Sequence, residues 1–391
     1  MDKTTIEEAY QKLEMNFDDH RLYYAGLPEF QRNFTRDSIC AGLLTNNKML
    51  LHEQVKFSAH LQGKTEDEYT GEEPGKIFHD FPPYKKMEQS TMYNACDTTA
   101  LFLIAINRLI QLDEEYKYLL DAFKREIEGA LEYIFRHTEN GYFIEDPKFS
   151  NTQSYCLKVT YWKDSIIFQR ENGEPKYPAT YILAHVQNMD AVRCMAKLTD
   201  SEELKEKADQ MYARFQELYD PKTKLFTSVF DEEGKLTDPN SDLLHMLYYL
   251  DPQDLSAEQL KGILNSCKHL ETKIGYKTNR VMDQEHHQKL LEDTKKFLEN
   301  PQKGDLFSEV YHYNSIWPFE QAFIHLGALK FGLDEVAEVS GRIKHHIKGT
   351  FPEVLLLNSQ GKIFSFNCYL QLWTIAASEV FWEKDIEELV G

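Results

Sequence analysis

Helices in this sequence come in unlike pairs, and that pairing constrains the fold more than any other feature. Residues 97–112 (DTTALFLIAINRLIQL) open on Asp-Thr-Thr, a ready N-cap, and then run apolar nearly all round, which requires burial on most sides. Residues 114–137 follow with one charged face. The same alternation joins 179–199 to 201–219, 241–250 to 256–269, 315–333 to 334–347 and, near the start, 36–46 to 49–62. A closing helix is expected over 368–383. Inner apolar helices followed by outer polar ones, at roughly forty to fifty residues per pair, build either an open solenoid or a ring closed on itself.

The loops separate these two outcomes. Segments 63–96, 138–178, 270–314 and 348–367 are long and rich in aromatic and acidic residues, and long loops inside a compact domain are usually functional. Gathered on one face of a ring they would build one site. Thr227–Phe230 and Lys362–Phe366 have the composition of short strands within those loops. No Gly/Ser/Pro-rich linker interrupts residues 1–391, so one domain is expected.

The formal net charge of −20 repels phosphate backbones and anionic lipid, which argues against nucleic acid and membrane as partners. Six cysteines (Cys40, Cys96, Cys156, Cys194, Cys267 and Cys368) form no CxxC and read as small apolar residues of a reducing compartment. The acidic start Met1–Glu8 does not resemble a signal peptide, and the apolar run Ala100–Ile106 is too short to span a bilayer. A cytoplasmic protein is the expectation, with its oligomeric state open.

Two acidic motifs far apart in the chain carry the chemistry. Tyr161-Trp162-Lys163-Asp164-Ser165 sets a carboxylate beside an aromatic pair, and Phe351-Pro352-Glu353 sets another in a late loop. Two carboxyl groups brought together among Trp and Tyr suit hydrolysis of glycosidic bonds, since aromatic faces pack on the C–H faces of sugars. One carboxyl must stay protonated, which a partly apolar wall favours by desolvation, while the other must ionise to activate water. As isolated motifs, Asp164-Ser165 reads equally as a turn cap and Glu353 as a solvated loop acid.

Further motifs line up in one order. Tyr24-Ala25-Gly26-Leu27-Pro28-Glu29-Phe30 precedes Thr35-Arg36-Asp37-Ser38, then Pro74–Asp80, Tyr93–Thr99, Trp162–Ser165, Tyr311–Pro318, Pro352-Glu353 and Gln371-Leu372-Trp373. In these patches, from Tyr24 to Trp373, the chain resembles the catalytic domain of amylo-α-1,6-glucosidase (glycogen-debranching) type glycoside hydrolases. The resemblance implies an all-α (α/α)6 toroidal barrel and inversion at the anomeric carbon. It implies Asp164 as general acid and Glu353 as general base; Glu320 is the rival base on its own motif, since Trp317-Pro318-Phe319-Glu320 also sets an acid beside an aromatic, but the resemblance ranks it lower.

By the same resemblance Arg36, Asp37 and Asp97 hold sugar hydroxyls, although Asp37 and Asp97 also suit a helix start. His79 and His312 line the pocket as neutral hydrogen-bonding groups, and Trp162 and Trp317 offer stacking faces. Gln187, on an inner helix, needs a partner that a substrate hydroxyl or a backbone carbonyl would supply.

No cofactor or metal is expected: the adjacent pairs His286-His287 and His345-His346 lack ligand spacing, and neither a phosphate-binding Gly loop nor a G-x-S-x-G occurs. The sequence departs from debranching enzymes at the Cys before Asp97, at the Tyr between His312 and Asn314, and in offering no accessory domain before the barrel. A short α-glucoside, or a small glucosyl or mannosyl conjugate such as a glycosylglycerate, is therefore as well suited as glycogen, and such substrates belong to a related group of (α/α)6 hydrolases. Two other functions compete: a sugar 2-epimerase working through His79, His185 and His312, and a non-catalytic carbohydrate-binding helical-repeat protein.

Overall fold

The computed structural model describes residues 5–300, 310–358, 360–382 and 389. Parts of the expected N-terminal helix opening (1–4), of the 270–314 and 348–367 loops (301–309 and 359) and of the closing helix (383) lie outside the described residues. The helices used below are α1 (Ile6–Leu13), α2 (Thr35–Thr45), α3 (Lys48–His60), α4 (Thr98–Leu112), α5 (Lys124–Arg136), α6 (Ile182–Thr199) and α7 (Glu202–Glu217). They continue with α8 (Asp242–His245, extended by a 3-10 turn to Tyr248), α9 (Ala257–Cys267), α10 (Gln284–Glu299), α11 (Pro318–Lys330), α12 (Asp334–Gly341) and α13 (Leu372–Trp382).

Burial sorts these helices as their sequences require. Every residue of α2 is buried, and α4, α6, α11 and α13 bury most of theirs, whereas α7 buries only Ala208, Met211 and Phe215. Among the described residues α2 packs on α4, α4 on α6, α6 on α8, α8 on α11, α11 on α13, and α13 returns to α2. Outside them α3 backs α2, α5 backs α4, α7 backs α6, α9 backs α8 and α12 backs α11. The partner of α13 is α1, from the opposite end of the chain. Sequence pairing of neighbours left the closing helix single; a contact between the two ends of a chain has no local signature.

The helix starts differ in a way that serves the site. Outer helices α3, α7 and α9 are capped by side chains, although α5 and α12 are not: Asn47 accepts from Leu50 N, Ser201 from Leu204 N, and Ser256 forms a reciprocal pair with Gln259. Ring helices α2, α4, α6, α8 and α11 have no side-chain cap, and α2, α6, α11 and α13 are entered instead from two-residue strands. Asn33–Phe34 pairs with Asp80–Phe81, Thr180–Tyr181 with Phe230–Val229, Ser315–Ile316 with Leu356–Leu355, and Leu370–Gln371 with Leu27–Gly26. Each pairing ties a distant loop to the start of a ring helix.

Several boundaries shift for physical reasons. Pro318 at the first helical position starts α11 three residues later than the periodicity suggests, leaving Ser315–Ile316 extended. The 114–137 segment divides into a 3-10 turn, Tyr118–Ala122 and α5. The expected strand at Lys362–Phe366 forms over Ile363–Phe366 against Val354–Leu357, whereas that at Thr227–Phe230 begins only at Val229. Helix α10 lies inside the expected 270–314 loop; it is amphipathic, burying His287, Leu290, Asp293, Thr294 and Phe297, but it has no apolar inner helix beside it in sequence to complete a pair. No described helix is long and apolar enough to cross a membrane.

Candidate active site

The Tyr161–Ser165 segment is held from behind. The Tyr161 hydroxyl donates to Asp242 Oδ2 (3.1 Å) and Trp162 Nε1 to Asp242 Oδ1 (2.8 Å). Lys163 Nζ lies 3.0 Å from Asp242 Oδ1 and donates to Ser241 Oγ (3.0 Å), the Thr278 carbonyl (3.2 Å) and Asn240 Oδ1. Glu320 Oε1 lies 3.9 Å from the same ammonium and accepts from Ser241 Oγ. With three successive side chains fixed inward, the next, Asp164, reaches a cavity of about 220 Å³ and keeps 26% of its side chain exposed.

Glu353 enters that cavity from the strand stack ahead of α11 and α13. Its N–H donates to the Cys368 carbonyl (3.1 Å), Thr374 Oγ1 donates to the Pro352 carbonyl (2.8 Å), and Gln371 N donates to the Phe351 carbonyl (2.9 Å). The Tyr311 hydroxyl donates to Glu353 Oε1, and Cys368 N approaches Oε2 at 3.5 Å. Asp37, from the first turn of α2, accepts from Gln371 Nε2 (3.0 Å). Gly26 admits that glutamine, since a Cβ there would lie 2.0 Å from Gln371 Oε1.

Four carboxyl groups line this cavity; Asp80 is paired with Arg32, whereas Asp37, Asp164 and Glu353 have less compensation. Burial pushes Asp164 up, opposed by the Arg36 guanidinium (Nη1 to Oδ2, 3.9 Å) and by His79. Burial pushes Glu353 up to about 7, opposed by hydrogen bonds from Tyr311, Asn367 and Cys368 N. Asp37 is raised well above the usual carboxylate range by burial. His312 is held well below its usual value by burial near Lys163 and Arg36, so it is neutral; its Nδ1 pairs with Ser165 Oγ at 2.8 Å.

Buried polar atoms without a hydrogen bond collect on the same wall: both ring nitrogens of His79, His312 Nε2, Gln371 Oε1 and Trp373 Nε1. Such groups are costly unless something polar meets them, and a polyhydroxylated ligand would.

Eight of the residues singled out in the sequence line this cavity: Arg36, Asp37, His79, Trp162, Asp164, His312, Trp317 and Glu353. Asp97 and Gln187 do not. Asp97 is buried and accepts both ends of the Arg36 fork (2.8 and 2.9 Å), so it orients Arg36 instead of meeting a sugar. Arg36 consequently holds Asp97 and faces Asp164, and Asp37 is oriented by Gln371. Gln187 lies inside the ring against the Tyr249 hydroxyl. Glu320, the rival base, is enclosed behind Trp162 and does not reach the cavity. Trp317 offers little free face, because it stacks on His312 (4.9 Å between centroids, 13°).

His185 is far from this wall in its contacts. Its Nδ1 accepts from Phe143 N and its Nε2 donates to the Met211 carbonyl (both 3.1 Å), which removes one of the three histidines from the epimerase reading.

Sequence reasoning passed over Arg32, Phe34, Asp80, Tyr84, Tyr311, Gln371 and Trp373 as site residues. Tyr311, Gln371 and Trp373 stood inside the ordered motifs and could have been found there; Tyr84 lies in no motif. It also passed over a cluster behind the site, Asp242, His245 and Glu320, whose ligand-type atoms lie within 4.8 Å of one another. The Lys163 ammonium already supplies positive charge there.

No family model and no curated protein matches the sequence. Solved structures do. The glycoside hydrolase family 63 mannosylglycerate hydrolase of Thermus thermophilus, in complex with Tris and D-glycerate, is similar over 97% of this chain and 99% of that one, with TM-score 0.66 and 8% identity. The same hydrolase in complex with glucose gives 0.64 and 10% over 97% and 99%. The family 78 rhamnosidase of Bacillus sp. GL1 gives 0.55 and 11% over 89% of this chain and 31% of that one. At such identities the likeness is one of fold, and the chain shares the helical fold of these hydrolase structures along nearly its whole length.

Proposed function

We propose that this chain is an inverting glycoside hydrolase, a single catalytic domain on an (α/α)6 barrel, with Asp164 as general acid and Glu353 as general base. The observation that carries the proposal is that these two carboxyl groups, remote in sequence, line one cavity; burial raises Asp164, as an acid requires, while hydrogen bonds from Tyr311, Asn367 and Cys368 N oppose the effect of burial on Glu353. The ring of helices among the described residues, each with an outer partner, supports the barrel. A cytoplasmic setting agrees with six free cysteines.

In the proposed mechanism the sugar ring sits among Asp37, His79, His312, Gln371 and Trp373. Protonated Asp164 gives its proton to the glycosidic oxygen as the bond to the anomeric carbon breaks, and the aglycone leaves as an alcohol. A water on the opposite face adds to that carbon and passes a proton to Glu353, which requires the two carboxyls to stand roughly 6.5–9.5 Å apart. Arg36 compensates the charge left on Asp164, and the Tyr311 hydroxyl stabilises Glu353 while it is ionised. Because the two groups feel each other's charge, the pH profile belongs to the pair.

The proposed substrate is an α-linked glucoside or related small glycoside. A volume of about 220 Å³ lies below the roughly 300–1,000 Å³ of drug-sized sites, which suits one enclosed sugar unit with the aglycone toward the mouth.

Incubation with a panel of α-linked disaccharides and small glucosides and mannosides, read by released monosaccharide, tests the reading. Release by the native chain and its loss in Asp164→Asn is the expected result. A 2-epimerase is the second reading, favoured by the Nε2 atoms of His79 and His312, which are buried without a hydrogen bond; it predicts interconversion of free sugars that survives Asp164→Asn.

A further inference from the structure

The mouth of the cavity differs in chemistry from its floor. Polar groups lie at the floor, whereas Phe30, Phe34, Tyr84 and Leu157 form a largely apolar wall. Tyr84 is 54% exposed although it lines the cavity. Its backbone is nonetheless fixed: Tyr84 N donates to Asp80 Oδ2 (3.3 Å) and Thr91 Oγ1 (3.1 Å), and its carbonyl accepts from Thr91 N (3.0 Å). A half-exposed ring on an anchored backbone is a preformed contact face with little ordering cost left on binding.

The cation at the mouth, Arg32, is already engaged. Its guanidinium lies 5.4 Å from the Phe34 centroid and 5.7 Å from the Tyr84 centroid, and Nη1 sits 3.3 Å from Asp80 Oδ2. Deeper in, Arg36 is held by Asp97. Against these two guanidinium groups the cavity presents Asp37, Asp80, Asp164 and Glu353, and among the described residues no lysine lines it. A carboxylate on the ligand would find only two cations, both already committed, and a buried charge left without a partner costs affinity.

Resting on the glycosidase reading above, we infer that the aglycone half of the substrate is an uncharged alcohol with an aromatic or apolar face, packed against Tyr84 and Phe34, and not a hydroxy acid. The sequence neighbourhood of Tyr84 then sets specificity, separately from the carboxyl pair that performs hydrolysis.

The experiment holds the sugar constant and varies the leaving alcohol. Benzyl, glyceryl and D-glycerate (hydroxyl-linked, with a free carboxylate) α-glucosides and α-mannosides are compared by kcat/KM, with the corresponding glycosyl fluorides as substrates that lack an aglycone. The benzyl glycoside of the accepted sugar is expected to exceed the D-glycerate glycoside by tenfold or more. Tyr84→Ala is expected to lower kcat/KM for the benzyl glycoside about tenfold more than for the fluoride, and Tyr84→Phe to restore it. Preference for the glycerate glycoside, or equal losses on benzyl glycoside and fluoride in a Tyr84→Ala protein of unchanged melting temperature, overturns the inference while leaving the hydrolase intact. Failure to cleave any glycoside or either fluoride removes the hydrolase reading itself and the inference with it.

Discussion

Two clusters of buried carboxyl groups stand on either side of Trp162, and they differ in one respect. Behind it, Asp242 and Glu320 are enclosed with the Lys163 ammonium between them. In front, Asp37, Asp164 and Glu353 share a cavity with Arg36, whose fork is already taken by Asp97. Burial raises a carboxyl in both places, Glu320 to about 8 and Glu353 to about 7. A raised pKa therefore does not mark the site by itself. Access to the cavity, combined with charge left unmatched, does. The rear cluster works by position: it holds Trp162 and Lys163 inward so that Asp164 points forward.

The comparison breaks most visibly in activity. Asp164→Asn and Glu353→Gln are each expected to lower kcat/KM by about 10²–10⁴-fold, the usual worth of a general acid or base. Glu320→Gln, on a group largely protonated at neutral pH and outside the cavity, is expected to stay within an order of magnitude of the native chain. Equal losses in all three would erase the distinction between front and rear.

The rear cluster is expected to dominate stability. Lys163→Met strands Asp242 without its cation, and breaking a buried pair costs about 3–5 kcal/mol, read as a lower denaturation midpoint in urea or heat. At the front the sign reverses. Folded Glu353 keeps its proton up to about 7, whereas an unfolded glutamate releases it near 4.5. Between those values the folded state binds more protons, so native stability falls as pH rises and levels off above about 7. Glu353→Gln lacks that penalty of about 3 kcal/mol. Its melting temperature is expected to match the native value near pH 4.5 and exceed it increasingly up to pH 7.

The smallest expected effect sharpens the front cluster alone. Tyr311→Phe removes a hydrogen bond that favours ionised Glu353, so its pKa rises and less of it is ionised on the acidic side. Activity at pH 6 is expected to fall about tenfold or more, given about 1.5–3 kcal/mol for a hydrogen bond to a charged group, and the loss is expected to shrink as pH rises above 8. A uniform loss across pH would mean that Tyr311 acts only as packing.

The legibility of this molecule in its sequence follows the range of the forces involved. Ring helices such as α4 and α6 could be read because burial on all sides makes a sequence apolar all round. Helix α1 could be read as a helix but not as the partner of α13, since that contact joins the two ends of the chain. That Asp164 and Glu353 line one cavity was legible through motifs, as was Arg36 but not its pairing with Asp97. Its partner Asp97 sits at the start of another helix, and nothing local announces that fork. Tyr84 was invisible because exposed loop aromatics have no periodic context. Whether a carboxyl such as Glu320 faces a cavity or a lysine is likewise decided by tertiary packing.

The proton NMR spectrum of the first-formed sugar, recorded during hydrolysis of an α-glycoside cleaved by the native chain, tests the central claim most directly. Opposed action by Asp164 and Glu353 across a water-sized gap predicts that the β anomer appears first and only later equilibrates. Initial release of the α anomer would mean a retaining, covalent route, and would contradict the roles assigned to both residues.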